Sequence, residues 1–310
     1  MYKGLRVAVV VPAYNEERHV GEVIKTAPAW VDHILVIDDG STDGTVAAAR
    51  AVADHRTEVI ERLQNGGVGA AIMAGHRRAM ELGADVDLVM AGDAQMDPDY
   101  AGDLIDPIAD QGYGFTKANR FFSMSSFAGM PRLRIFGNVV LSFMTKLASG
   151  YWHLFDPQNG YTAIHRHALD RIPLDRIRLG YEFENDLLIY LSIARVRAKD
   201  VPVPARYGTE VSGIRLFREI WRLSRLLAAG FWRRIWWKYV IHSFSPVALL
   251  LFTGLALIGF GLVVGVFVVV HTLGPATASA GTVLLCAAPI LSGMHLLISA
   301  LVLDIQEGDR

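Results

Sequence analysis

The sequence predicts an α/β fold, a mostly parallel sheet flanked by helices, followed by amphipathic juxtamembrane helices and two transmembrane helices. Three observations carry that prediction. Short β-branched runs alternate with helical patterns, polar clusters sit at the ends of those runs, and two long uncharged apolar segments lie toward the C-terminal end of the 310 residues.

The runs "LRVAVVV", "HILVIDD", "TEVIERL" and "VDLVMAG" are each followed by ten or more residues of helix-like sequence. Parallel strands joined by right-handed crossovers produce this alternation, and their ligands bind outside the carboxyl ends of the strands. The polar clusters "PAYNEE", "DDGSTDGT", "NGGVGAA" and "GDAQMDP" fall at those ends. One cluster is an ordinary turn; four on one sheet edge predict a binding crevice. Further on, "GYGFTKANR" and "NGYTAIHR" read as strands, and "PRLRIFGNVVLSFMTKLASG" and "YEFENDLLIYLSIARV" as helices. The two prolines of "AKDVPVPARYG" confine it to an extended edge segment.

The apolar runs "SPVALLLFTGLALIGFGLVVGVFVVVH" and "ASAGTVLLCAAPILSGMHLLISALVLD" have no Lys, Arg, Asp or Glu before Asp304. Each exceeds the roughly 20 residues needed to cross a bilayer core. The preceding segment carries Arg215, Arg218, Arg222, Arg225, Arg233, Arg234 and Lys238 against Glu219, whereas the connector "HTLGPATAS" has no formal charge apart from a His. The positive-inside rule therefore predicts a multi-pass cell-membrane protein whose large domain faces the cytoplasm. Basic residues at three-and-four spacing, with Phe217, Ile220, Trp221 and Leu227 on the other side, suit a headgroup layer. The expected divisions are 1–211, 212–243 and 244–310. No apolar segment at the N-terminus is long enough for a signal peptide. A formal net charge of -1 gives no reason to expect nucleic acid, and Cys286, inside an apolar run, builds neither a disulfide framework nor a thiol metal site.

The glycines of "NGGVGAA" match a dinucleotide fingerprint poorly, because they follow the third strand rather than the first. Backbone flexibility or close helix packing accounts for Gly66, Gly67 and Gly69. In "DDGSTDGT", Asp43 is placed to cap a helix beginning at Gly44. Asp38 and Asp39, at a strand's carboxyl end, can accept hydrogen bonds from a base N–H or a ribose hydroxyl. Asp97 before Pro98 reads as a helix cap.

The motifs "VVVPAYNEE", "VIDDGSTDGT", "NGGVGAAIMAG" and "GDAQMDP", in this order and spacing, resemble the family 2 glycosyltransferases of GT-A fold. With "KANR", "DPQNGYTAI", "FEND" and two membrane spans added, the chain resembles the polyprenyl-phosphate glycosyltransferases of the dolichol-phosphate mannose synthase group. The resemblance implies a UDP- or GDP-linked sugar donor, a polyprenyl-phosphate acceptor and a divalent Mg2+ or Mn2+. It also implies that Pro12, Tyr14, Glu16 and Asp39 line the nucleotide pocket and that Asp93 and Gln95 hold the metal. Ala91 departs from the commonest pattern, which has a first acid there. In an extended loop, residues two apart point the same way, so Asp93 and Gln95 would serve one cation, and Mg2+ needs only one or two carboxylates beside water and phosphate.

A lipid phosphate is already a competent nucleophile near neutral pH, with a second pKa of about 6. Cations must hold it, and Lys117, Arg120, Arg132, Arg134 and Arg206 are the candidates. Arg120 and Arg132 are the preferred acceptor pair, partly from the resemblance, against a merely solvated basic face; Arg206 is assigned to the donor diphosphate. Glu184 and Asp186 of "FEND" would lie about 200 degrees apart on a helix and so would not share a site. The expected activity is inverting transfer of one sugar from a nucleotide-diphosphate sugar to a polyprenyl phosphate. A processive polysaccharide synthase is the rival within the fold, although the chain lacks Gln-x-x-Arg-Trp, and a catalytically silent membrane scaffold is the rival outside it. The sugar, base, prenyl length and any homo-oligomeric state are left open.

Overall fold

The structure is a computed structural model that describes residues 1–122, 132–156, 159–180, 182–204, 216–273 and 278–308, without the side chains of 132–136, 138 and 216–220. Two compact units make it up, Met1–Phe231 and Trp232–Arg310.

The first unit is built on a sheet of order β3-β2-β1-β4-β6-β5-β7. Its strands are β1 (Val7–Ala13), β2 (His33–Asp38), β3 (Thr57–Glu61), β4 (Val86–Val89), β5 (Phe115–Asn119), β6 (Thr162–His165) and β7 (Ala198–Pro202). Strand β6 runs antiparallel to β4 and β5, and the other neighbouring pairs are parallel. The helices are α1 (Val20–Thr26), α2 (Thr45–Val52), α3 (Val68–Glu81), α4 (Ala101–Gln111), α5 (Arg132–Ser149), α6 (Arg166–Asp170), α7 (Phe183–Ile193) and α8 (Leu216–Arg234). Strand β1 is apolar at consecutive positions because alternate side chains enter two cores. Val7, Val9 and Val11 join Val20 and Leu104 in one, while Ala8 and Val10 join Ala71 and Leu187 in the other. A parallel sheet covered on both faces requires that pattern.

The prolines end the sheet as expected: β7 is its last strand, pairing with β5, and Pro202 closes it. Gly69 lets α3 meet α7, since a Cβ there would lie 2.7 Å from the Cβ of Phe183. Helix α2 begins at Thr45 rather than Gly44, and Asp43 accepts from the Thr45 amide at 3.0 Å. Asp97 caps a short 3-10 turn, Pro98–Tyr100, that runs into α4.

Helices α5 and α8 depart from their expected amphipathic arrangement. The buried side of α5 carries Ser142, Thr145 and Ala148, while Val139, Val140 and Phe143 are exposed. Hydrogen bonds explain the reversal: Ser142 Oγ donates to the Phe155 carbonyl and Thr145 Oγ1 to Asn185 Oδ1. On α8, Leu223, Leu226 and Leu227 are buried against Ala148 and Ile189 of the first unit, whereas Trp221 is 66% exposed. Leu227 and Trp221 therefore do not form one membrane-facing stripe. Arg222 pairs at 2.9 Å with buried Glu182.

The second unit contains a π-helical turn (Ile235–Ile241) and two long helices, α9 (Pro246–Thr272) and α10 (Ala280–Gly308), both long and apolar enough to cross a membrane. They are not core helices, because Leu262, Val263, Val266 and Phe267 on α9 and Leu284, Leu291 and Ile298 on α10 all face outward. Gly254 and Gly293 bring the helix backbones together; a Cβ on Gly254 would sit 2.9 Å from the Gly293 carbonyl oxygen. Small residues at the seam are how helices pack without a hydrophobic drive between them. Arg234 and Lys238, counted above in the basic excess before the first apolar run, are buried. Arg234 forms a bidentate pair with Asp304 at 2.6 and 3.0 Å, joined by the Tyr239 hydroxyl.

Candidate active site

The four strand-end loops are stitched to one another. The Asn15 amide donates to Ser41 Oγ and the Thr42 amide to Asn15 Oδ1, both at 2.9 Å, and the Glu16 amide reaches Thr45 Oγ1 at 2.8 Å. The Gly92 amide donates to the Pro12 carbonyl at 3.0 Å, fixing the fourth loop on the first. Pro12 is thus buried wall, while Tyr14 is exposed. The Glu16 carboxylate lies 3.0 Å from His19 Nδ1.

Asp39 is not waiting open for a ligand. It is buried, pairs with Arg62, and accepts from the amides of Gly66 at 3.1 Å and Gly67 at 2.7 Å. Gly67 has a positive φ of 88°, the backbone freedom expected of "NGGVGAA"; that its amide serves the Asp39 carboxylate was not foreseen. Arg62, the cation at the end of β3, was missed by the sequence reading; its position directly after a strand among acidic loops was the available signal. Asp38 Oδ2 accepts from the Ser41 amide at 3.1 Å, while its buried Oδ1 has no hydrogen-bond partner among the described residues.

The loop after β4 is a tight turn rather than an extended segment. Ala94 is left-handed, φ 56°, and the Gln95 amide donates to Asp93 Oδ1 at 3.0 Å. The alternation argument for Asp93 and Gln95 therefore fails, because acids of this kind favour bonding their own backbone two residues on. The turn is held by Ala91 N on the Met96 sulfur at 3.1 Å and the Tyr161 hydroxyl on the Asp97 carbonyl at 2.9 Å. No group of three or more His, Cys, Asp or Glu among the described residues could hold a metal. A single carboxylate whose Oδ2 has no partner among the described residues still fits a hard cation that brings phosphate oxygens with it.

The expected acceptor cations part company. Lys117 is fully buried and donates to the Asn159 carbonyl, and burial lowers its pKa against the nearby acids Glu184, Asp156 and Asp200. Its inward-facing position on β5 leaves it no exposed surface, and its ammonium is spent on backbone rather than presented to a ligand. Arg120 is half-exposed but paired with buried Asp156, Nε to Oδ2 at 2.7 Å and Nη2 to Oδ1 at 3.1 Å. Arg132 and Arg134 open α5, with side chains outside the described residues, as is the whole of Arg206. Glu184 and Asp186 do separate: Asp186 accepts from the Arg178 amide at 3.0 Å, whereas Glu184 faces Gly160 and Lys117, and burial raises its pKa.

Segment 159–161 joins the halves. Tyr161 holds the Asp97 end of the metal-type loop, Gly160 lies against Met96, and Asn159 receives Lys117 beside Asp156. Asp156 went unassigned in the sequence although "DPQNG" contains it. Asp200 was read only as part of an edge segment.

The strand order and the converging loops define a GT-A-like α/β transferase fold. A family model, Glycosyl transferase family 2, matches residues 8–173, and the chain belongs to that family. A UDP-N-acetylglucosamine–dolichyl-phosphate N-acetylglucosaminyltransferase of Methanococcus voltae is 30% identical over 221 residues, covering 66% of this chain and 87% of that protein. A polyprenol monophosphomannose synthase of Mycolicibacterium smegmatis is 32% identical over 190 residues, covering 59% and 70%. The crystal structure of glucosyl-3-phosphoglycerate synthase from Mycobacterium tuberculosis with Mn2+, UDP and phosphoglyceric acid superposes with a TM-score of 0.56 at 23% identity, covering 74% of this chain and 78% of that one. This last likeness is one of fold.

Proposed function

We propose that the protein is a membrane-bound inverting glycosyltransferase that moves one sugar from a nucleotide-diphosphate donor to a polyprenyl phosphate. The observation that carries this reading is the bridge of 159–161 between the Asp93 loop and the Arg120–Asp156 pair. It connects the Asp93 loop to the Arg120–Asp156 pair, which supports a donor end and an acceptor end of one site, and the named activities of the two relatives agree with it.

Asp93, with Gln95 beside it, would hold Mg2+ or Mn2+, which when bound neutralises charge on the leaving diphosphate. Asp39, fixed by Arg62 and two glycine amides, and Asp38, whose Oδ1 has no partner among the described residues, would form the nucleotide end. Asp156 occupies the Nε–Nη2 edge of the Arg120 guanidinium and so fixes its plane, and the outer Nη1–Nη2 end would be the part that meets phosphate oxygens when the lipid arrives. A phosphate oxygen of the acceptor attacks the anomeric carbon opposite the diphosphate; that C–O bond forms as the bond to the donor phosphate breaks, and nucleoside diphosphate leaves. No side chain has to take a proton, since the nucleophile is already an anion.

The outward apolar residues of α5 and the exposed tryptophans 221, 232, 236 and 237 suit a headgroup layer, and α9 and α10 suit the bilayer core. The remaining excess of arginine before α9 supports a cytoplasmic side for the catalytic unit. The deciding experiment offers labelled UDP- and GDP-sugars to detergent-solubilised protein with undecaprenyl and dolichyl phosphates. Label is expected in the lipid, with nucleoside diphosphate released in equal amount. Label confined to growing polysaccharide, or no donor turnover with either lipid, overturns the reading.

A further inference from the structure

Stretch 151–156 has no regular secondary structure and is held against two elements, α5 and β7. Lys146 donates to the Trp152 carbonyl at 2.7 Å, His153 Nε2 lies 2.8 Å from the Ala198 carbonyl, and Ser142 Oγ donates to the Phe155 carbonyl at 3.1 Å. One oxygen does more than any of these. Asp200 Oδ2 accepts from the Phe155 amide at 2.7 Å and from Asn119 Nδ2 at 3.0 Å. Phe155 directly precedes Asp156, and Asn119 directly precedes Arg120. A single carboxylate oxygen on edge strand β7 thus ties the Phe155 backbone amide to the Asn119 side chain, one on each segment that carries the ion pair.

We propose that Asp200 is a positioning residue of the acceptor site, setting the Arg120–Asp156 pair through the residues that precede each partner. The inference rests on the reading above that Arg120 meets the acceptor phosphate. Its surroundings support it. Lys117 in register on β5, Lys146 on α5, and Asp156 and His153 on the irregular stretch all face the carboxylate. Asp200 Oδ1 is sealed from water with no hydrogen-bond partner among the described residues. Burial, with Asp156 adding to it, pushes the carboxyl up to about 6. Near neutral pH the folded protein therefore holds this group ionised at a cost. An acid that lowers stability yet organises a charged site is better explained by function than by packing.

The test compares Asp200→Ala and Asp200→Asn in the full-length protein, in detergent. Asn keeps an oxygen where Oδ2 accepts; Ala does not. In Asp200→Ala the KM for undecaprenyl phosphate is expected to rise about tenfold or more, the loss of hydrogen bonds to a charged group, with donor KM essentially unchanged. Deuterium exchange over 151–156 is expected to quicken. Asp200→Asn should restore most of both, with no loss of thermal stability. The inference is overturned if Ala leaves acceptor KM at the wild-type value, if donor and acceptor KM rise together, or if Asn fails as badly as Ala while exchange stays normal. Absence of lipid glycosylation by the unmutated protein overturns the proposed function itself, and this inference with it.

Discussion

Arg120 and Asp156 have two duties that mutation can separate. Asp156 is buried, so Arg120→Ala strands a carboxylate as well as removing a phosphate contact; a hydrogen bond to a charged group contributes about 1.5–3 kcal/mol. Arg120→Ala is expected to lower stability to denaturant by roughly that amount and to raise acceptor KM. Adding Asp156→Asn should recover much of the stability without recovering acceptor use, because no guanidinium returns. Arg120→Lys should restore only part of either, since an ammonium cannot form the fork. If the double variant regains acceptor use, Arg120 serves the fold alone. Asp93 makes a cleaner case. Its Oδ1 is engaged by the Gln95 amide, which an amide oxygen can also satisfy, so Asp93→Asn should leave the turn intact and abolish metal-dependent transfer. Ala91→Asp should retain activity. Full activity of Asp93→Asn in the presence of chelator would remove the metal from the mechanism.

At the scale of elements, the sheet was legible because its strands are apolar on both faces and its loops are polar, so β1 to β4 stand out from the helices between them. Strand β7 was legible from two prolines alone. What was hidden is what depends on side-chain partners. Lys117 and Arg120 look alike as cations flanking a strand end, yet the inward position buries one completely and leaves the other partly exposed. The Asp93 turn was misread because Ala94 is a residue type seldom found at positive φ. Helix α5 was misread because small polar residues sought partners inside while its larger apolar ones stayed out. Close packing of α3 on α7 gives a direct test of the glycine assignment. A Cβ at Gly69 would meet Phe183 at 2.7 Å and the Leu179 carbonyl at 2.8 Å, and backbone cannot yield as a flexible side chain can. Gly69→Ala is therefore expected to cost about 1–3 kcal/mol, as overpacking does, and to weaken donor binding through the adjacent Gly67 amide. An unchanged melting temperature would mean that the helices can separate freely there.

The whole chain divides where its apolar surface does, and that determines which truncation folds. The motifs of the crevice all precede residue 211, which makes a cut near Glu210 look sufficient. The packing says otherwise. Leu223, Leu226 and Leu227 cover Ala148 and Ile189, and fully burying such a side chain is worth about 1.5–3 kcal/mol each. Arg222 also supplies a charge partner to Glu182, which is 2% exposed. Cutting at residue 210 removes that cover and leaves a buried acid with one cation fewer, whereas cutting after Phe231 keeps the compact unit whole. Residues 1–231 are expected to unfold cooperatively and to bind nucleoside diphosphate like the full-length protein, while losing efficient transfer to long-chain acceptor for want of α9 and α10. Residues 1–210 are expected to melt at a distinctly lower temperature and to aggregate through the bared faces of α5 and α7. Calorimetric unfolding and donor titration of the two fragments decide the matter; equal melting temperatures would show that α8 belongs to the membrane surface and not to the catalytic unit.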